Sequence, residues 1–199
     1  MALRVPDPPP QGLEVVRGAL ASLVGQPSAA ALAITEAGPE SLTVAAPHQV
    51  YFVGLRDIAE GRLLDAARLT GWRYIIFNAG EQTVAAAELR ITPDGRHDFS
   101  SVNRGPFVAS TVDGARVAES LEVVGTQDFE FRLLDIPGLY VVALWLHADT
   151  DIIIPLPPAR EELEPLRAYD QREVIRLLRK TARRRLKFFE HQKLRQTSR

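Results

Sequence analysis

Hydrophobic and polar positions repeat with two different periods along this chain. Leu13, Val16, Leu20 and Leu23 recur at steps of three and four, one face of a short helix that Gly25 and Pro27 end. Upstream, PDPPP at 6–10 is a stiff, extended lead-in, because consecutive prolines favour polyproline II. Residues 31–34 are ambiguous, since alanine favours helix while the run is short. SLTVAAP (41–47) and QVYFVGL (49–55) read as two strands with a break at Pro47. Asp57, with Glu60 three residues on, predicts a capped helix running to Leu69 and stopped by Gly71.

WRYIIFNA (72–79) and TVAAAELRI (83–91) have the aromatic, β-branched and alternating content of a hairpin, with a further short strand predicted at 98–102 after the TPDG turn. GPFVASTVDGARVAESLEVVG (105–125) reads as a helix opened by Pro106, with Phe107, Val108, Val112, Ala115 and Leu121 inward and Gly114 against it. FEFRLLDI (129–136) and LYVVALWLHA (139–148) are strong strands. The second is apolar on both faces, which predicts the centre of the sheet. A last strand is expected at 151–156. Beyond it Ile175, Leu178, Ala182, Leu186 and Phe189 step by three and four along one helix, among arginines, with Pro165 expected near the first turn of the helical segment.

The pattern predicts an α+β fold. A mostly antiparallel sheet of about six or seven strands carries helices on one face, and a long basic C-terminal helix follows. The expected organisation is a proline-rich lead-in at 1–10, a globular domain at 11–158 and a basic amphipathic helical tail at 159–199.

Charge sharpens the last boundary. The 199 residues carry a net charge of −1, but 172–199 hold 11 Lys or Arg and two Asp or Glu, a balance of +9. Residues 1–171 hold 13 basic and 23 acidic residues, a balance of −10. This is a basic tail on an acidic body. The chain has no cysteine, which excludes disulfides and thiolate metal sites. No apolar run approaches the roughly 20 residues of a membrane span, and the N-terminal stretch has no apolar core of a signal peptide, so a cytoplasmic location is expected.

Candidate chemistry is sparse. No GxGxxG and no GxxxxGK[ST] is present, and no histidine is paired at metal-binding spacing, so neither cofactor nor metal is expected. RHD (96–98) and HADTD (147–151) set a histidine beside carboxylates, which suits acid–base work and equally suits a polar loop at a strand end. The residues His97, Asp98, Asn103 and Arg104 form a candidate ligand-binding or hydrolase site, with Asn103 and Arg104 leading into a helix start where backbone N–H groups can hold an anion. Arg56 and Arg73 are placed to bridge acidic neighbours on the sheet.

The tail departs furthest from background. Arg176, Arg179, Lys180, Arg183, Arg184, Arg185, Lys187, Phe188 and Phe189 are the candidate partner-binding residues. An apolar stripe with cations around it docks on an acidic surface, its own body or a neighbouring subunit. The same cations fit phosphates, with the phenylalanines stacking on unpaired bases. They also suit an anionic membrane surface, less well because Ala182 weakens the apolar face. The expected function is a non-enzymatic interaction or structural module of a larger assembly, contacting an acidic protein partner or a second copy through this helix. A nucleic-acid-binding protein and a small hydrolase with its site at 97–104 are the alternatives.

Overall fold

The structure, a computed structural model, describes residues 3–197; the ends of the lead-in and of the tail, 1–2 and 198–199, lie outside the described residues. The fold is α+β, built on one eight-stranded sheet. Its elements are β1 (Leu3–Arg4), α1 (Gly12–Leu23), α2 (Ala29–Ala37), β2 (Thr43–Phe52), α3 (Leu55–Glu60), β3 (Arg68–Phe77), β4 (Thr83–Ile91), β5 (His97–Asn103), α4 (Pro106–Ser120), β6 (Phe129–Ile136), β7 (Val141–His147), β8 (Ile152–Pro155) and α5 (Gln171–Thr197). The strand order is β5-β4-β3-β2-β6-β7-β8, and β1 pairs with β6.

The sheet is mostly antiparallel and mixed, because β2 and β1 both run parallel to β6. Strands β3 to β5 form a meander of short connections, and β2 pairs antiparallel with β3 through a longer connection that contains α3. The chain then returns through α4 to place β6 beside β2, the crossover that a parallel pair requires.

Helices cover both faces rather than one. Along β7, Val141, Ala143 and Trp145 enter the cluster shared with α3 and α5, while Val142, Leu144 and Leu146 enter the cluster shared with α4. This double cover makes β7 apolar throughout, although it lies next to the β8 edge and not at the sheet centre. Trp72, Tyr74 and Ile76 of β3 and Ala85, Ala87 and Leu89 of β4 pack under α1 and α2, where Val16, Leu20 and Ile34 meet them.

Local chemistry moves several boundaries. Residues 29–37 are helical because the Ser28 hydroxyl accepts the Ala31 N–H at 3.1 Å, an N-cap that settles the ambiguous run. The two strands expected at 41–55 are one strand, β2. Pro47 lacks a ladder donor, and the register shifts between Ala45 and His48 while Ala46 takes φ 47°. The helix expected from 57 to 69 is only α3, because Gly61 takes the left-handed conformation at φ 89° and ends it. Gly54 is its N-cap, and Asp57 instead binds Arg62 at 2.6 Å. Gly114 belongs inside α4: a Cβ there would lie 2.5 Å from Leu156 and 2.9 Å from Leu144.

The segment after β8 is integrated with the core. Leu163 and Tyr169 are buried, and Tyr169 exchanges two backbone hydrogen bonds of 2.9 Å with Ile153. Pro165 therefore lies in a winding connection ahead of the helix. Asp170 opens α5 by accepting the Glu173 N–H at 2.9 Å.

Candidate functional site

The basic helix is anchored along its first half. Val174, Leu178 and Ala182 are at most 1 % exposed and share one cluster with Ile58, Ala59, Leu139 and Tyr169. Leu178 and Ala182 of the stripe read from the sequence are thus covered by the chain's own body, with Ile175 and Leu186 at its margins, while Phe189 at the end of the stripe is exposed. Polar contacts fix its register. Thr181 donates to Glu162 at 2.7 Å, and Arg160 pairs with the same carboxylate at 3.0 Å. Burial pushes the Glu162 carboxyl up, but the Thr181 and Arg160 hydrogen bonds outweigh it and hold the pKa below the ordinary value.

The expected contact residues divide into two sets. Arg179 and Arg183 donate from Nε to the Ala59 carbonyl at 3.3 and 3.0 Å, and Arg179 also reaches Glu60 O at 3.4 Å. These are last-turn carbonyls of α3, which lack partners within their own helix and favour a nearby cation. Arg185 donates to Gly138 O at 2.9 Å and lies over the Tyr140 ring at 5.0 Å. The second set faces solvent. Arg176, Lys180, Arg184 and Lys187 are exposed, as are Phe188 and Phe189 at 59 % and 45 %.

Arg172, Arg176, Lys180 and Arg184 follow one another at four-residue steps, each about 6 Å further along the axis. Like charges at this spacing repel. Among the described residues no carboxylate comes within 4.0 Å of Lys180, Arg184 or Lys187, while Arg176 meets Glu173 at 3.7 Å. Arg56 of α3 pairs with Glu190 at 3.4 Å, which ties the far end of the helix to the body.

Beside this row stands Tyr140, a residue the sequence reading passed over. It is 70 % exposed and holds the left-handed conformation, φ 54° and ψ 44°, after the turn at Pro137–Leu139. A β-carbon residue in that region is strained, and such strain gathers where a side chain must point a particular way. Tyr140, Phe107, Arg160 and Arg184 line one open cleft of about 650 Å³, with Glu161 the carboxylate on its wall. The only sequence signal for it was a tyrosine directly after the tight turn.

The other candidate set does not converge. His97 and Asp98 open β5 and line a cleft with Pro9, Pro10 and Gly12. Asn103 closes the strand and donates to Ser101 at 3.1 Å, and Arg104 lines a different cleft with Glu36 and Asn78. The two ends of a seven-residue strand are roughly 20 Å apart. In the HADTD loop, one Asp151 oxygen accepts from Trp145 Nε1 at 2.7 Å and from the His147 ring at 2.8 Å. That carboxylate orients the imidazole, and the cleft His147 lines holds Arg4, Asp7, Asp128 and Glu130 but no serine, threonine or cysteine. Among the described residues no group of three potential ligands could hold a metal ion.

A buried polar row crosses the sheet where the sequence suggested surface bridges. Arg73 binds Glu88 at 2.5 Å opposite His48, which is 1 % exposed and stands edge-on to Phe131. Burial first, then the Arg73 charge, lower the His48 pKa to about 3, and the hydrogen bond to Ala46 O only partly opposes them.

No protein-family model matches the chain, and no curated protein or solved structure matches it. Among the described residues no helix is long and apolar enough to cross a membrane.

Proposed function

We propose that this chain is a non-enzymatic interaction module of a larger assembly, acting in the cytoplasm and contacting an acidic partner through the solvent face of α5. The observation that carries the reading is the division of the helix: its apolar stripe and three of its arginines hold the body, and Arg176, Lys180, Arg184 and Lys187 project from that fixed platform. Anchoring removes most of the ordering cost that a free basic tail meets on binding. The separation of His97 and Asp98 from Arg104, which line different clefts, with Asn103 at the far end of β5, supports an interaction role over the hydrolase alternative.

The test uses immobilised heparin as a polyanion probe. The wild-type chain is retained at low salt and elutes as salt rises, whereas the K180E/R184E/K187E variant flows through with an unchanged circular-dichroism spectrum. Equal elution of the two proteins overturns the reading.

A further inference from the structure

We infer that the partner of this face is a single-stranded nucleic acid, with an unpaired base stacked on Tyr140 and its backbone phosphates along Arg184, Lys180 and Arg176. The inference rests on the reading of α5 as the contact for an acidic partner and goes further by naming that partner.

Three observations converge on it. First, the cations form a row rather than a scatter, so they suit a linear polyanion whose charges repeat along one strand. Second, the row leads into the cleft that Arg184 shares with Tyr140, Phe107 and Arg160, which brings aromatic surface next to positive charge. Sequence-tolerant recognition of single strands combines these two elements, a basic track and aromatic rings on which bases stack. Third, Tyr140 is presented rather than packed. The residue is 70 % exposed in the left-handed conformation, and Arg185, itself fixed on Gly138 O, lies over one side of its ring at 5.0 Å. A duplex keeps its bases stacked inside and offers this ring nothing, whereas a single strand offers a π-face at every nucleotide. The exposed Phe188 and Phe189 further along the helix add aromatic surface on the same element. The acidic balance of residues 1–171 confines a polyanion to the α5 side.

The experiment is fluorescence anisotropy of the full-length chain with labelled oligothymidylate and oligouridylate of about 20 nucleotides, several contiguous sites long, and with a duplex of equal length. Heparin retention is measured on the same samples. The expected result is tighter binding of the single strands than of the duplex. Tyr140→Ala weakens single-strand binding roughly tenfold or more, Tyr140→Trp restores it, and heparin retention stays unchanged in both. A parallel titration with oligodeoxyuridylate, which differs from oligouridylate only in the 2′-hydroxyl, assigns the sugar, DNA or RNA. If single strand and duplex bind alike, or Tyr140→Ala leaves single-strand binding unchanged, the inference is overturned while retained heparin binding leaves the interaction module standing. Loss of heparin binding as well overturns both. Binding to phosphatidylserine vesicles with none to oligonucleotide assigns the face to a membrane surface and overturns the inference.

Discussion

Replacing Leu178 with alanine probes the anchoring on which the functional reading depends. Leu178 is 0 % exposed and packs within the cluster formed with α3 and the β6–β7 half of the sheet. Truncation removes about three buried carbon groups, worth about 2.4 kcal/mol in transfer alone. The cavity left behind raises the loss to about 3–4 kcal/mol, within the range seen for buried leucines. Alanine is the better helix former, so intrinsic propensity works slightly in the opposite direction. At about 2–4 °C per kcal/mol for a chain of this size, the midpoint falls by roughly 6–16 °C. The assay is urea and thermal unfolding followed by circular dichroism, beside the control Lys187→Ala on the exposed face, which stays within about 0.5 kcal/mol of wild type. A loss below about 0.5 kcal/mol for Leu178→Ala refutes the docking, because that is the cost expected of a side chain on a solvated tail.

Two further substitutions test the core. His48 has a folded pKa of about 3 against an ordinary 6.5, so between these values the unfolded chain binds more protons and stability falls as pH drops, by about 1.4 kcal/mol per unit. By pH 5 the loss from this group reaches about 2 kcal/mol, and His48→Leu removes that part of the slope in denaturant titrations at several pH values. Asp135, whose pKa burial raises, acts in the opposite sense, so the comparison is of variant with wild type; equal slopes contradict the assignment. Gly71→Ala places a Cβ 1.9 Å from Leu89 O across the β3–β4 ladder, so it costs about 2 kcal/mol or more through backbone displacement, and a stability equal to wild type contradicts that packing.

The elements defined by local signals were legible in the sequence. The hairpin of β3 and β4, the paired β6 and β7, and the amphipathic face of α5 follow from periodicity and turn residues within a few positions. Features set by distant partners were not. The parallel pairing of β2 with β6 depends on where α4 carries the chain, and β7 is apolar on both sides because α4 lies opposite α3 and α5. Gly114 argues against a helix until Leu144 and Leu156 press on it. The candidate site shows the same division. The arginines were visible as a charge excess, but Arg179, Arg183 and Arg185 could be separated from Arg176, Lys180 and Arg184 only once Ala59 and Gly138 were seen to receive the first three. Tyr140 was invisible because its meaning lies in a backbone angle and in a neighbouring helix.

The salt dependence of oligothymidylate binding tests the account most directly. The three cations of the phosphate row, Arg176, Lys180 and Arg184, give a slope of about −2 in log K against log salt for a single strand. A measured slope near that value, moving close to zero in K180E/R184E/K187E, is the predicted result. Binding that ignores salt, or a steep slope that survives in the triple variant, contradicts the assignment of this face of α5 as the contact.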